Sequence, residues 1–130
     1  MGATDAVVEV DSLVVRYGSI TAVDGVSFTA SAGEVTAVLG PNGAGKTSTI
    51  EVCEGYRRAA RGTVRVLGFD PAVEQRRLSE RMGVMLQEGG VYPSARVAET
   101  VRHYCELYER GVNPDKLVEL VDLGGRATST

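Results

Sequence analysis

Apolar and polar positions divide the chain into a strand-like first part and a helical last part. Val7 to Arg16 and Ile20 to Thr29 are β-rich, and Tyr17-Gly18-Ser19 between them reads as a hairpin turn. Ser31-Ala32-Gly33 makes a second turn into the apolar run Val35-Thr36-Ala37-Val38-Leu39, which predicts a strand. Thr47 to Glu54 is helix-compatible with Gly55 as its C-cap, and Arg61-Gly62 opens a further strand, Thr63 to Leu67. Asp70-Pro71 provides an N-cap and a proline at the first helical position for a helix to about Arg81. Gly83-Val84-Met85-Leu86 predicts a strand that delivers Gln87 at its C-terminal end, where ligands sit in open α/β sheets.

From Val97 the period becomes helical. Val101, Tyr104, Cys105 and Tyr108 share one side, with Glu99, Arg102, His103 and Glu106 on the other, and core packing explains the stripe without a ligand. Asn113-Pro114 starts a last helix with Leu117, Leu120 and Val121 inward and Gly124-Gly125 as its stop. The fold class expected is α/β. At 130 residues, with no repeat and no composition shift marking an internal boundary, residues 1–130 are read as at most one domain.

One segment carries chemistry. Gly40-Pro41-Asn42-Gly43-Ala44-Gly45-Lys46-Thr47 fits GxxxxGK[S/T], placed between a predicted strand and a predicted helix as a phosphate-cradling loop requires. Glycines let successive backbone N–H groups turn inward on a polyphosphate. Lys46 adds a compact positive charge, Thr47 a hydroxyl for Mg2+, and the helix start its positive dipole end. The chain holds 12 Arg and only two Lys, so the lysine here reads as chemical need. ATP or GTP is the ligand class. No NKxD is present for guanine, and Asp122-Leu123-Gly124-Gly125, which formally fits DxxG, ends a helix instead of following a strand. GTPases and small kinases usually open with the loop strand, whereas nearly forty residues of strand-like sequence precede it here.

The totals narrow the class further. A net charge of -3 argues against a polyanion gripped by overall charge, so no nucleic-acid partner is expected. No apolar run approaches the ~20 residues of a membrane span, and Met1 to Asp5 has no signal-peptide character, which predicts a cytosolic chain. Cys53 and Cys105 lie in predicted helices without a CxxC or a nearby His and read as small buried hydrophobes; His103 reads as surface.

These residues resemble the ATP-binding subunits of ABC transporters over nearly the whole chain. Arg16-Tyr17-Gly18 is similar to the aromatic A-loop, Ala22 to Phe28 with Gly33-Glu34 to the approach to the phosphate loop, Gly40 to Thr47 to Walker A, and Gly83 to Glu88 to the Q-loop region; in texture the chain looks most like the drug-export or ABC-2 type subfamily. The resemblance implies a P-loop nucleotide triphosphatase fold of ABC type: an N-terminal antiparallel β subdomain, part of the core sheet, and the start of the helical subdomain. It implies that Tyr17 stacks on adenine through its ring face, not its hydroxyl. Gly43, Ala44, Gly45 and Lys46 would hold the β and γ phosphates, with Gly40 and Asn42 completing the loop. Thr47 would bind Mg2+, Ser48 would reach the α phosphate, and Gln87 would contact Mg2+ and the attacking water.

It further implies ATP as substrate, a transmembrane permease subunit and a second ATP-binding subunit as partners, and a peripheral place on the inner face of the membrane. The LSGGQ signature, Walker B and the switch His are expected beyond Thr130, so residues 1–130 alone are expected to bind nucleotide without turnover; Glu88 is not taken as the general base. A soluble ABC-type ATPase unconnected with transport, or a binding fragment, is the alternative.

Overall fold

The structure, a computed structural model, describes residues 5–87, 94–108 and 112–121, and divides into two compact units between Gly83 and Val84. In the first unit, β1 (Ala6–Tyr17) lies at the centre of a three-stranded antiparallel sheet between β2 (Ile20–Ser31) and β3 (Arg61–Val66). Gly18, at φ +59, makes the two-residue hairpin loop possible. Strict alternation would carry Val10 and Val14 to one face; instead Val10, Leu13 and Val15 are buried together. A register shift between Val10 and Leu13 supplies the missing step, with Ser12 at φ +52. Ser27 Oγ accepts a 2.8 Å hydrogen bond from the Ser12 N–H that the bulge takes out of the ladder. Opposite, a Cβ on Gly62 would run into the carbonyls of Asp11 and Ser12, so this bulge needs glycine on β3.

Helix α1 (Lys46–Cys53) covers this sheet with Val52 and Cys53, closing a core of Val10, Leu13, Val15, Val23, Val64, Val66 and Leu78. Burying a side chain of the size of Leu13 contributes ~1.5–3 kcal/mol. At its C-terminus Tyr56 N–H donates to Glu51 O (2.9 Å) and Gly55 N–H to Val52 O (3.1 Å), with Gly55 at φ +80; this is a Schellman stop, as the glycine predicts.

Three expectations are corrected. Residues 35–39 and 83–86 form no strand: neither segment has a ladder partner among the described residues, Val35 is 100% exposed and Met85 97%. The part of the core sheet expected there is thus not formed among the described residues. The helix expected from Asp70 to Arg81 is α2 (Gln75–Ser79). Asp70 does cap a turn, accepting from Ala72 N–H (2.9 Å) while Glu74 accepts from Asp70 N–H (3.0 Å), but Glu74 at φ -114 interrupts before the helix begins. Arg77 and Arg81 then stack on Phe69.

In the second unit α3 (Val97–Glu106) packs against α4 (Pro114–Leu120). Asn113 Oδ1 accepts from Asp115 N–H at 2.9 Å and Pro114 takes the first helical position, as expected. The inward residues differ. Val118 is the buried residue of α4 while Leu120 and Val121 are exposed, and Tyr104 and Tyr108 of α3 are exposed with Val101 and Cys105 half-buried, because two short helices can shield only the residues at their contact. Gly124-Gly125 lies outside the described residues.

Candidate functional site

The phosphate loop leads from residues 34–42, without regular structure, into the N-terminus of α1. Gly43 at φ +81 and Gly45 at φ +86 supply the left-handed turns that the motif requires. Gly45 has a second reason: a Cβ there would strike Ala22 O and Val23 Cγ2, so the loop end is seated directly on β2. Ala44 N–H donates to Pro41 O at 3.2 Å, closing the loop on itself.

Gly45 is also the N-cap of α1, and no side chain caps it. The first-turn N–H groups, Lys46 to Ser48, therefore point out of a helix end with no acidic residue in its first turn, the arrangement that favours an anion. Thr49 turns back into the helix, its Oγ1 donating to Gly45 O at 2.9 Å. Thr47 is exposed at the same end. Lys46 Nζ donates to Gly40 O at 2.6 Å and to Pro41 O at 2.8 Å, so the ammonium is folded over the loop and one of its three donors remains. Gly40 and Asn42 lie on the exposed outer limb.

Tyr17 closes β1 and comes to α1. Its Oη and Ser48 Oγ are 2.8 Å apart, either able to donate, and Ser48 is buried. The Arg57 guanidinium lies over the ring, 4.3 Å from its centroid, and Arg57 Nε donates to Glu51 Oε2 at 2.7 Å. That hydrogen bond raises the pKa of Arg57 above its ordinary range. The hydroxyl is thus engaged and one ring face is covered, which the ring-only reading of Tyr17 does not include. Neither Glu51 nor Arg57 was legible as a site residue: six positions separate them, a spacing that brings side chains together only because the Schellman turn at Gly55 reverses the chain.

The structure brings together Tyr17, Gly40, Asn42, Gly43, Ala44, Gly45, Lys46, Thr47 and Ser48 in the first unit. Gln87 belongs to the second unit, at a bend and not at a strand end, and Glu88 lies outside the described residues. Cys53, the last residue of α1, is buried, its thiol pushed up to about 11 by burial and secondarily by Glu54, so it is inert at neutral pH. His103 is exposed on α3. Among the described residues no group of three His, Cys, Asp or Glu could hold a metal, and no helix is long and apolar enough to cross a membrane.

The profile of the ABC transporter family matches residues 23–130. Among curated proteins, the chain is 31% identical over 104 residues to the probable multidrug ABC transporter ATP-binding protein YbhF of Escherichia coli K12, covering 80% of this chain and 18% of that protein. It is 38% identical over 98 residues to the Nod factor export ATP-binding protein I of Paraburkholderia xenovorans (75% and 32%). The methionine import ATP-binding protein MetN of Geobacillus kaustophilus is 34% identical over 118 residues (84% and 34%). A solved ATP-binding subunit of an ABC transporter superposes with a TM-score of 0.81 at 23% identity, covering 95% of this chain and 53% of that one, which shows the fold. The chain spans between 18% and 34% of the length of these curated relatives.

Proposed function

The chain belongs to the ATP-binding domains of the ABC transporter family, and from that premise we propose that it grips the nucleotide in an ATPase subunit that drives transport across a membrane. The observation that carries this reading is the uncapped N-terminus of α1 with Lys46 folded over the glycine loop in front of it. Backbone N–H groups of Gly43 to Ser48 and the ammonium of Lys46 bind the triphosphate and stabilise charge on it. To do so Lys46 exchanges a loop carbonyl for a phosphate oxygen, a stronger partner because both groups are charged. Ser48 lies within this helix turn and Tyr17 beside it, so phosphate and base are read from adjacent elements. Thr47 offers a hard hydroxyl ligand that suits Mg2+, which when bound neutralises phosphate charge. Gln87 is assigned to the metal and water by resemblance alone.

The whole protein would act with a permease subunit and a second ATP-binding subunit at the inner face of a membrane, and turnover would need groups beyond those described. Export, in the drug-export manner, is the direction we propose; the multidrug and Nod factor export relatives support it, and the methionine import relative marks the competing direction. Titration calorimetry tests the nucleotide reading. Lys46→Ala is expected to weaken Mg-ATP on the order of ten- to a hundredfold, the range for a lost charged hydrogen-bond partner, and to leave adenosine unaffected. Equal losses for both ligands would overturn the phosphate-loop assignment.

A further inference from the structure

Tyr17 ends β1 at the hairpin tip, paired with Ile20 across the two-residue loop. Two contacts hold it from α1 and the turn after it, and a third anchors the second of them. Ser48 Oγ meets the phenol at 2.8 Å, the Arg57 guanidinium lies 4.3 Å from the ring centroid, and Glu51 Oε2 accepts from Arg57 Nε at 2.7 Å. Arg57 is fixed from the backbone as well, its N–H donating to Glu51 O at 3.1 Å beside the Schellman stop of α1. Tyr17 nevertheless remains 40% exposed, so the Arg57 contact does not bury the residue.

We propose that Arg57 is a positioning residue for the nucleotide base: anchored by Glu51, it backs one face of Tyr17 and holds the other ready for a purine. This rests on the nucleotide reading of the loop and adds to it two residues outside the phosphate motif. A planar guanidinium can lie flat on a ring while its Nε–H faces a carboxylate, which the compact ammonium of lysine cannot reproduce. A ring already immobilised loses less freedom when the base arrives. The competing picture, in which Arg57 blocks the face the base needs, requires breaking the Glu51 contact to admit each nucleotide. The double anchoring of Arg57 and the remaining exposure of Tyr17 favour backing over blocking.

The test is calorimetric titration of the full 130-residue chain with Mg-ATP and, separately, with Mg-tripolyphosphate, which has the phosphates and no base. Arg57→Ala is expected to weaken ATP about three- to fivefold, the scale of an exposed cation–ring contact, and to leave tripolyphosphate unchanged. Arg57→Lys and Glu51→Gln should fall between that variant and the parent chain. Glu51→Gln also serves if Arg57→Ala fails to fold, because it keeps the side chain's shape. Equal losses for both ligands would assign Arg57 to general charge or folding and overturn the proposal. So would unchanged ATP affinity, and a gain in ATP affinity would show that Arg57 obstructs the ring. A parent chain that binds tripolyphosphate as tightly as ATP would remove the base contact while sparing the phosphate loop; a parent chain that binds neither would overturn the nucleotide reading and this proposal with it.

Discussion

β1 and the run from Val35 to Leu39 are built from similar residues, yet Leu13 and Val15 are shut away while Val35 and Leu39 stand in solvent. β1 has a ladder on either side and α1 above it. The run 35–39 has no ladder partner among the described residues, and an open hollow of about 310 Å3 beside it, lined by Val26, Phe28, Val38, Leu39, Ala44 and Lys46, leaves its apolar side chains uncovered. Apolar composition sets a demand for burial; neighbouring strands and helices decide whether it is met. The phosphate loop lies on the boundary between the two, one limb continuous with exposed chain and the other seated on the packed sheet.

The largest contrast should be in stability. Leu13→Ala is expected to cost about 3 kcal/mol through lost burial and the cavity left behind, whereas Val35→Ala should change stability by less than about 0.5 kcal/mol. Urea unfolding of both variants measures it, and comparable losses would mean that Val35 is packed in solution. Within the loop itself, Gly45→Ala should destabilise by ~1–3 kcal/mol or more, since left-handed strain and collision with Ala22 coincide. Gly43→Ala meets open space and should cost only the backbone strain, about 1–2 kcal/mol. If the two were equal, the seating of Gly45 on β2 would be wrong.

A smaller effect is expected at Tyr17. Tyr17→Phe removes the hydrogen bond to Ser48 and should lower stability by ~0.5–1.5 kcal/mol, read in the same unfolding experiment. The cysteines sharpen the comparison without a large energy. Thiolate is the reactive form, so a thiol held near pKa 11 stays protonated and unreactive at pH 8. A thiol reagent should label Cys105, half-buried on α3, well before Cys53, and equal rates would mean that α1 opens readily. The raised pKa also has a stability sign. The folded state holds this proton more tightly than the unfolded chain, so its contribution is present below the ordinary thiol pKa and is lost as pH rises towards 11.

The hairpin, β3, the Gly55 stop and the Asn113-Pro114 start were legible because each depends on local chemistry: a positive φ, a missing Cβ, a side-chain cap. The conformation of the glycine loop was legible for the same reason, since Gly43, Gly45 and the start of α1 fall within eight consecutive residues. What was not legible depends on distant partners. Nothing near Val35 or Met85 states whether a ladder will form, and the bulge at Ser12 becomes visible only when Gly62 lies opposite. Arg57 reads as one arginine among 12 until the turn at Gly55 carries it onto Tyr17.

The central claim, that the limb seated on the sheet grips phosphate, is tested most directly by amide NMR of the 15N-labelled chain titrated with Mg-ADP. The account predicts the largest and saturable shifts at the amides of Gly43 to Ser48, weakened at least tenfold in apparent affinity by Lys46→Ala. Adenosine should leave those amides unmoved. Saturable shifts that bypass Gly43 to Ser48, or a Lys46→Ala titration that superposes on the parent's, would contradict it.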